Sequence, residues 1–243
     1  MSTRTALLLA VLVFVGTVMV RLPARTLVPL LPAQISCQTP SGTVWRGACA
    51  QLRSGPVSLT GVSWTLHPAA LLHGHLAAEL VSADPRASGQ AAVELSRDGE
   101  LQVHDLAAQL ALHDGLSVLP RGLAGTVLLD VSGAQLQHGQ VTALTGSIRV
   151  LQLRSEAQSA DLGSFELRFP PAAPGGPIQG QLFDLGGPLS VSGQLRLMRA
   201  GGYDLSGSVA ARPDATPELV QALQLLGPAD TQGRRTFSLA GTL

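Results

Sequence analysis

The 243-residue chain is 45% apolar with a formal net charge of +0, so it is long and apolar enough to bury a core and is not a disordered tail. Its 16 basic residues are all arginines and form no run suited to binding phosphates, which argues against nucleic-acid binding. Aromatic residues make up only 3%, whereas 27 glycines and 16 prolines favour many short strands and turns over a helical bundle.

The first residues predict a membrane anchor. Residues 6–20 form an uncharged apolar run between Arg4 and Arg21, and a helix of that length spans roughly 22 Å. This is short for a bilayer, but both arginines can extend their guanidinium groups to the headgroups. A cleaved signal peptide is the alternative, yet the run lacks the small residues of a cleavage site. We expect residues 1–22 to be a cytoplasmic N-terminus and single-pass inner-membrane anchor.

The rest of the chain is expected in the periplasm. Residues 23–33 are interpreted as a linker or interfacial segment, and residues 34–243 as a β-rich periplasmic domain. Cys37 and Cys49 agree with export, because an exported domain with two cysteines and no metal-type cluster can oxidise them to one disulfide. Two buried free thiols are the alternative interpretation.

Alternating apolar and polar residues predict about a dozen antiparallel strands in a meander. Turn residues 40–42 are expected between the first two strands. Asp98-Gly99 predicts a two-residue hairpin turn. The predicted strands cover residues 34–38, 43–52, 57–66, 75–82, 91–95, 101–106, 125–137, 141–154, 178–185, 189–198, 203–211 and 235–243, with one more strand around Leu167 and Phe169.

Helical signals are few. Residues 68–72 predict one helical turn, and residues 113–121 a small helical crossing. At the C-terminal end, Thr216 is suited to cap a helix that starts at Pro217 and ends at Gly227. We therefore expect a mainly β fold: one transmembrane helix, then a curved antiparallel meander that forms an open half-barrel or groove, with a short C-terminal helix.

Motifs of enzyme chemistry are missing from the sequence. It contains no phosphate loop, dinucleotide-binding turn, nucleophile elbow or zinc-protease helix motif, so we expect no enzyme and no cofactor. His73 and His75 point the same way if they lie on a strand, but no third metal ligand is identifiable, and we interpret them as structural.

Several acids lie close together in sequence, as paired catalytic carboxylates would. They fall around turns and on alternating strand positions, so we interpret them as solvated surface groups. These acids are Asp84, Glu94, Asp98, Glu100 and Asp105.

Two short segments of the first sheet carry a family resemblance. Residues 41–47 read SGTVWRG, and residues 62–74 read VSWTLHPAALLHG. In their order and spacing they resemble the type II secretion system protein N family, and residues 225–227 with 239–241 are similar to the family's close. By this resemblance, seven residues are expected to define the fold and not to form a binding site. They are Gly42, Trp45, Gly47, Trp64, Pro68, Leu72 and Gly74.

The resemblance implies an inner-membrane accessory component of the general secretion pathway, which moves folded proteins from the periplasm across the outer membrane. It implies no catalysis, and its partners would be other secretion-system envelope proteins. The resemblance does not account for the Cys37 and Cys49 pair.

Two alternatives stay open at this point. A curved sheet with an apolar concave face could bind lipid or pass it between the envelope membranes. An exposed edge strand could instead recruit other envelope proteins as a simple interaction module.

Overall fold

The computed structural model describes residues 17–18, 21–26, 35–54, 57–112, 122–137, 139–156, 160–171, 176–198 and 201–242. The chain divides into two compact units, called unit 1 up to Asp84 and unit 2 from Pro85 onward. Both units are built of antiparallel strands that follow one another in chain order. The predictions of a mainly β fold, an antiparallel meander and a short C-terminal helix are therefore confirmed.

Unit 1 is a sheet of four strands with two short helical pieces. Each strand pairs antiparallel with the next one along the chain. A 3₁₀ turn at Ala24–Thr26 precedes the sheet, and helix α1 lies between the third and fourth strands. The elements of unit 1 are β1 (Ile35–Gly42), β2 (Arg46–Ser54), β3 (Val57–His67), α1 (Pro68–Leu72) and β4 (His75–Asp84).

Unit 2 continues the same pattern over nine strands and one helix. Neighbouring strands are again antiparallel and consecutive in the chain. The elements are β5 (Ala87–Ser96), β6 (Glu100–Leu112), β7 (Leu123–Gln137), β8 (Gln140–Ser155), β9 (Ala160–Phe169), β10 (Ile178–Asp184), β11 (Leu189–Leu197), β12 (Gly202–Ala211), α2 (Pro217–Gln224) and β13 (Arg235–Thr242).

Helix α2 covers one corner of the unit 2 sheet. Its Leu219 is 4% exposed and packs with Leu189 of β11 and Val209 of β12. The hydroxyl of Thr216 accepts a hydrogen bond from the Leu219 N–H at 3.4 Å, and Pro217 occupies the first turn, where no amide hydrogen is needed. The predicted cap and start of this helix are confirmed.

Two predicted turns differ from the observed ones. Pro40 and Gly42 belong to β1, and the chain turns at residues 43–45 instead. Among the described residues β1 pairs with β2 alone, and an outer strand is where a proline is tolerated in a sheet. At the β5–β6 hairpin the loop has three residues, not two, and Gly99 supplies the left-handed conformation with φ +78°.

Other predictions fall on residues without a description. The helical crossing at residues 113–121 lies wholly outside the described residues, and so do all but Thr17 and Val18 of the apolar run at residues 6–20. Within the part of the chain that is described, no helix combines the length and apolarity needed to span a bilayer. The transmembrane helix, the domain boundaries at residues 22 and 33, and the half-barrel curvature stay predictions.

Candidate functional site

Trp64 and Gly47 form the centre of the resembling motif. They lie directly opposite each other on β3 and β2. A Cβ added to Gly47 would lie 2.8 Å from Cε2 of the Trp64 indole and 2.8 Å from the Thr43 carbonyl oxygen, so only glycine fits without a shift. The half-buried Trp64 donates a hydrogen bond from Nε1 to the Val44 carbonyl at 2.9 Å, which satisfies its one polar atom.

The turn between β1 and β2 is held by backbone bonds on both sides. Thr43 N–H donates to the Arg46 carbonyl at 2.8 Å, and Leu66 N–H donates to the Trp45 carbonyl at 2.7 Å. Gly42 precedes the turn at φ +82°, and a Cβ there would lie 2.5 Å from the Arg46 carbonyl oxygen. The turn is therefore fixed to β3 through Trp64 and Leu66.

The segment that follows the predicted anchor docks on this same turn. Val44 N–H donates to the Leu22 carbonyl at 2.9 Å, and Pro23 forms an isolated antiparallel bridge with Thr43. Ala24 is 1% exposed. One connected set of contacts therefore runs from Trp64 through Val44 to the residues that leave the apolar run.

Cys37 and Cys49 form a disulfide across the β1–β2 hairpin, with a Cα–Cα distance of 5.7 Å. Cys49 is 2% exposed and faces Pro40 in the strand register, while Cys37 faces Leu52. Thr39, between the two register positions, has φ 48°, and the two cysteines are therefore bridged diagonally across the hairpin and not as a directly opposed pair. The prediction of a disulfide is confirmed.

Helix α1 carries the remaining motif positions. Pro68 begins the helix, and its amide position needs no donor there. Gly74 ends the turn at φ +85°, with its N–H donating to the Leu71 carbonyl at 3.1 Å. Leu72 is 87% exposed. The role of these residues as fold-defining family positions stays a prediction, and Leu72 supplies no packing of the kind that Trp64 supplies.

Asp84 is not the solvated acid that the sequence suggested. It is 6% exposed, and its Oδ2 accepts hydrogen bonds from both the backbone N–H and the hydroxyl of Thr60, each at 2.7 Å. Two donors on one carboxylate oxygen make burial tolerable. Asp98 and Asp105 are exposed, whereas Glu94 and Glu100 are half-buried.

His73 and His75 stack, with ring centroids 6.2 Å apart. Among the described residues no group of three or more His, Cys, Asp or Glu side chains is placed to hold a metal ion. Their interpretation as structural residues stays a prediction. The neighbouring His67 instead approaches Glu79, with Nε2 3.3 Å from Oε1.

A charged cluster in unit 2 was missed by the sequence analysis. Asp184 at the end of β10 accepts hydrogen bonds from the guanidinium of Arg212 and from the Val191 N–H, the latter at 3.1 Å. Arg212 also donates to the Gly187 carbonyl at 2.9 Å. Burial raises the pKa of Asp184, but the hydrogen bonds and charge of Arg212 and the Val191 amide outweigh it and leave the pKa below the ordinary value. Asp184 and Arg212 are 28 residues apart, so no local sequence pattern predicts that they pair.

The comparisons with known proteins agree with the motif. The family model described as type II secretion system protein N matches residues 33–238, which is most of the chain. The chain belongs to this family. A relative from Vibrio cholerae serotype O1, named type II secretion system protein N, is 41% identical over 70 residues. That alignment covers 28% of this chain and 28% of the relative, so the chain spans less than a third of the relative's length. No solved structure matches.

The family that the model describes is a component of the type II secretion system. The matched range takes in both units, from just before β1 into β13.

Proposed function

We propose that the chain is a non-enzymatic accessory component of the type II secretion machinery. It is held in the inner membrane by its N-terminal apolar segment, and its β units lie in the periplasm. The single observation that carries this proposal is the family match across residues 33–238. Its partners in this role are other envelope proteins of the secretion system.

One feature of unit 1 supports the periplasmic location, and a second supports a sheet held close to the proposed anchor. The Cys37–Cys49 disulfide is a bond that oxidising compartments maintain and the bacterial cytosol does not. The uncharged run at residues 6–20 is followed within two residues by Leu22, which is hydrogen-bonded to the sheet. The proposed membrane segment is therefore followed directly by a contact with the β1–β2 turn.

The function is tested by deleting the gene in its host and measuring how much of a type II substrate reaches the medium. The deletion should leave folded substrate in the periplasm, and the wild-type chain should restore export. Gly47→Ala, which disturbs the Trp64 contact, should restore export less well than Gly133→Ala, whose Cβ would meet nothing within 4 Å. Unchanged export in the deletion strain, under conditions where secretion limits growth, contradicts the proposal.

Topology and partners need separate measurements. A reporter enzyme that is active only in the periplasm, fused after the last residue, should be active, and a cytosol-specific reporter at the same place should not. Crosslinking in intact cells should then join the chain to other secretion-system proteins. Activity of the cytosolic reporter alone would overturn the proposed location.

A second candidate function, binding or passing lipid between the envelope membranes, has one specific observation in its favour. A row of aliphatic side chains crosses four strands of unit 2 in register and on one face, and each is only half-buried. Such a row offers an apolar surface to an acyl chain. Its members are Leu129, Ile148, Leu167 and Leu182.

The lipid candidate is tested by mass spectrometry of lipid that copurifies with the chain. Ile148→Arg places a charge within the row, while Ser147→Arg places the same charge on the opposite face of β8. Lipid should be lost from the first variant and kept by the second. Absence of lipid from the wild-type chain, or equal loss in both variants, counts against this candidate.

A further inference from the structure

We propose that one end of unit 1 inserts into the surface of the membrane, with Leu71 and Leu72 of helix α1 as the inserting side chains. The occupant of this apolar surface is the headgroup and upper acyl region of an anionic bilayer. The inference rests on the proposed N-terminal anchor and goes beyond it, because it assigns a second, separate membrane contact to the folded sheet.

Strand direction brings α1 and the segment after the anchor to the same end of the sheet. Arg46, at the start of β2, pairs with Thr65 near the end of β3, and α1 follows β3 directly. The turn at residues 43–45 lies at that end and receives Leu22 through the Val44 N–H. The segment that leaves the apolar run therefore meets the sheet at the end from which α1 projects.

The apolar run fixes how far this end can be from the bilayer. Residues 6–20 contain no charge, and Leu22 is two residues past the last of them. Two extended residues span at most roughly 7 Å. A sheet whose β1–β2 turn is hydrogen-bonded to Leu22 is therefore held within reach of the headgroup layer, not suspended on a long linker.

Helix α1 has two leucine side chains that stay exposed in the folded unit. Leu72 is 87% exposed and Leu71 is 44% exposed, whereas Ala70 in the same short helix is buried. Leu76 at the start of β4 is also exposed. Adjacent exposed leucines in a short helix at one end of the sheet suit shallow insertion at a membrane interface.

The charge of this end matches an anionic lipid surface. Arg21, Arg25 and Arg46 are all exposed there. Arginines beside a membrane are attracted electrostatically to anionic headgroups. Glu79, an acid of the neighbouring strand β4, already faces His67. The half-buried Trp45 lies in the same turn, and tryptophan is common at membrane interfaces.

The experiment uses the full chain in spheroplasts, with one cysteine introduced in each variant and the native disulfide left intact. Leu72→Cys reports on α1. Leu225→Cys is the matched control, since Leu225 is 89% exposed just after helix α2 of unit 2. Each variant is treated with a membrane-impermeant maleimide before and after the membrane is dissolved in mild detergent.

The proposal predicts that the new thiol of the Leu225→Cys control reacts at once, whereas that of Leu72→Cys reacts only after detergent is added. Equal, immediate reaction at both positions overturns the membrane contact but leaves the periplasmic location standing. If position 72 stays unreactive in detergent, the membrane contact is also overturned, because protein and not lipid would then be covering the thiol. If neither position reacts until the cells are lysed, the periplasmic location itself fails and the membrane contact fails with it.

A second readout separates insertion from mere proximity. A fluorophore on Leu72→Cys, in the full chain reconstituted into vesicles of phosphatidylethanolamine and phosphatidylglycerol, should shift to the blue and be quenched by lipids brominated on their acyl chains. The same label on Leu225→Cys should show neither change. A label at position 72 that stays unquenched in vesicles that retain the chain contradicts insertion.

Discussion

The indole Nε1 of Trp64 donates a hydrogen bond to the backbone carbonyl of Val44, and the N–H of that same Val44 donates to the Leu22 carbonyl. One residue of the β1–β2 turn thus links a tryptophan of β3 to the first residues after the apolar run. A disturbance at Trp64 is therefore expected to reach the connection between the proposed anchor and the sheet.

Gly47→Ala should destabilise unit 1. Its Cβ would lie 2.8 Å from both the Thr43 carbonyl oxygen and Cε2 of the Trp64 indole, and overpacking of this kind costs about 1–3 kcal/mol. Urea unfolding followed by tryptophan fluorescence reports on unit 1 alone, because the two tryptophans are Trp45 and Trp64.

The matched control for this change is Gly133→Ala. A Cβ there would meet nothing within 4 Å, so the unfolding free energy by circular dichroism should change by less than about 1 kcal/mol, with a tendency to rise. Equal destabilisation by the two substitutions would show that the Trp64 contact is not what excludes a side chain at Gly47.

Loss of the disulfide should lower the stability of unit 1 and leave unit 2 unchanged. The bridge joins cysteines 12 residues apart, and in the chain-entropy treatment a loop of this size is worth about 3 kcal/mol. Cys37→Ser with Cys49→Ser should lower the unfolding midpoint seen by tryptophan fluorescence. A reducing agent should do the same to the wild-type chain and nothing further to the double variant.

The Asp184–Arg212 ion pair should make unit 2 sensitive to acid. Because the pKa of Asp184 is held below its ordinary value, the stability that the carboxylate contributes is present above about pH 4 and is lost as the pH falls through the folded-state pKa. At neutral pH, Asp184→Asn should cost about 1–2 kcal/mol, discounted for the partial exposure of Arg212.

The measurement for this pair is thermal unfolding by circular dichroism over a range of acidic pH. The wild-type midpoint should fall more steeply on acidification than that of Asp184→Asn. Asp98→Asn serves as the control, since Asp98 is exposed in the loop between β5 and β6. Parallel curves for the wild type and Asp184→Asn would contradict the assigned role.

Leu219→Ala should destabilise unit 2 by about 2–5 kcal/mol, because it empties the contact between α2 and the buried Leu189 and Val209. Leu225→Ala removes the same atoms from a side chain that is 89% exposed, and should change the unfolding free energy by less than about 0.5 kcal/mol. Denaturant unfolding by circular dichroism compares the two.

Most strands could be predicted because their signal is local. In β11, Leu189, Val191 and Leu195 alternate with polar residues. The observed strand begins at Leu189, as predicted. The first turn was misplaced because Pro40 and Gly42 usually mark turns, yet an outer strand tolerates both. Turn residues therefore predict the number of hairpins better than they predict where each hairpin turns.

The functional contacts were harder to predict because they join residues far apart in sequence. Asp84 resembles any acid near a turn until Thr60, 24 residues earlier, is seen to donate to it. The role of Gly47 depends on a strand register that pairs it with Trp64 and not with a neighbour. Sequence patterns give the faces of strands, whereas these contacts require the register between them.

The pairing of each strand with the one before it has a consequence for biogenesis. Within each unit, a chain that emerges N-terminus first from a narrow channel can lay down every new strand on a template already in place. No early strand has to wait for a distant partner, so little apolar surface stays uncovered during synthesis or transit. Assembly in this manner needs only the order in which the residues arrive.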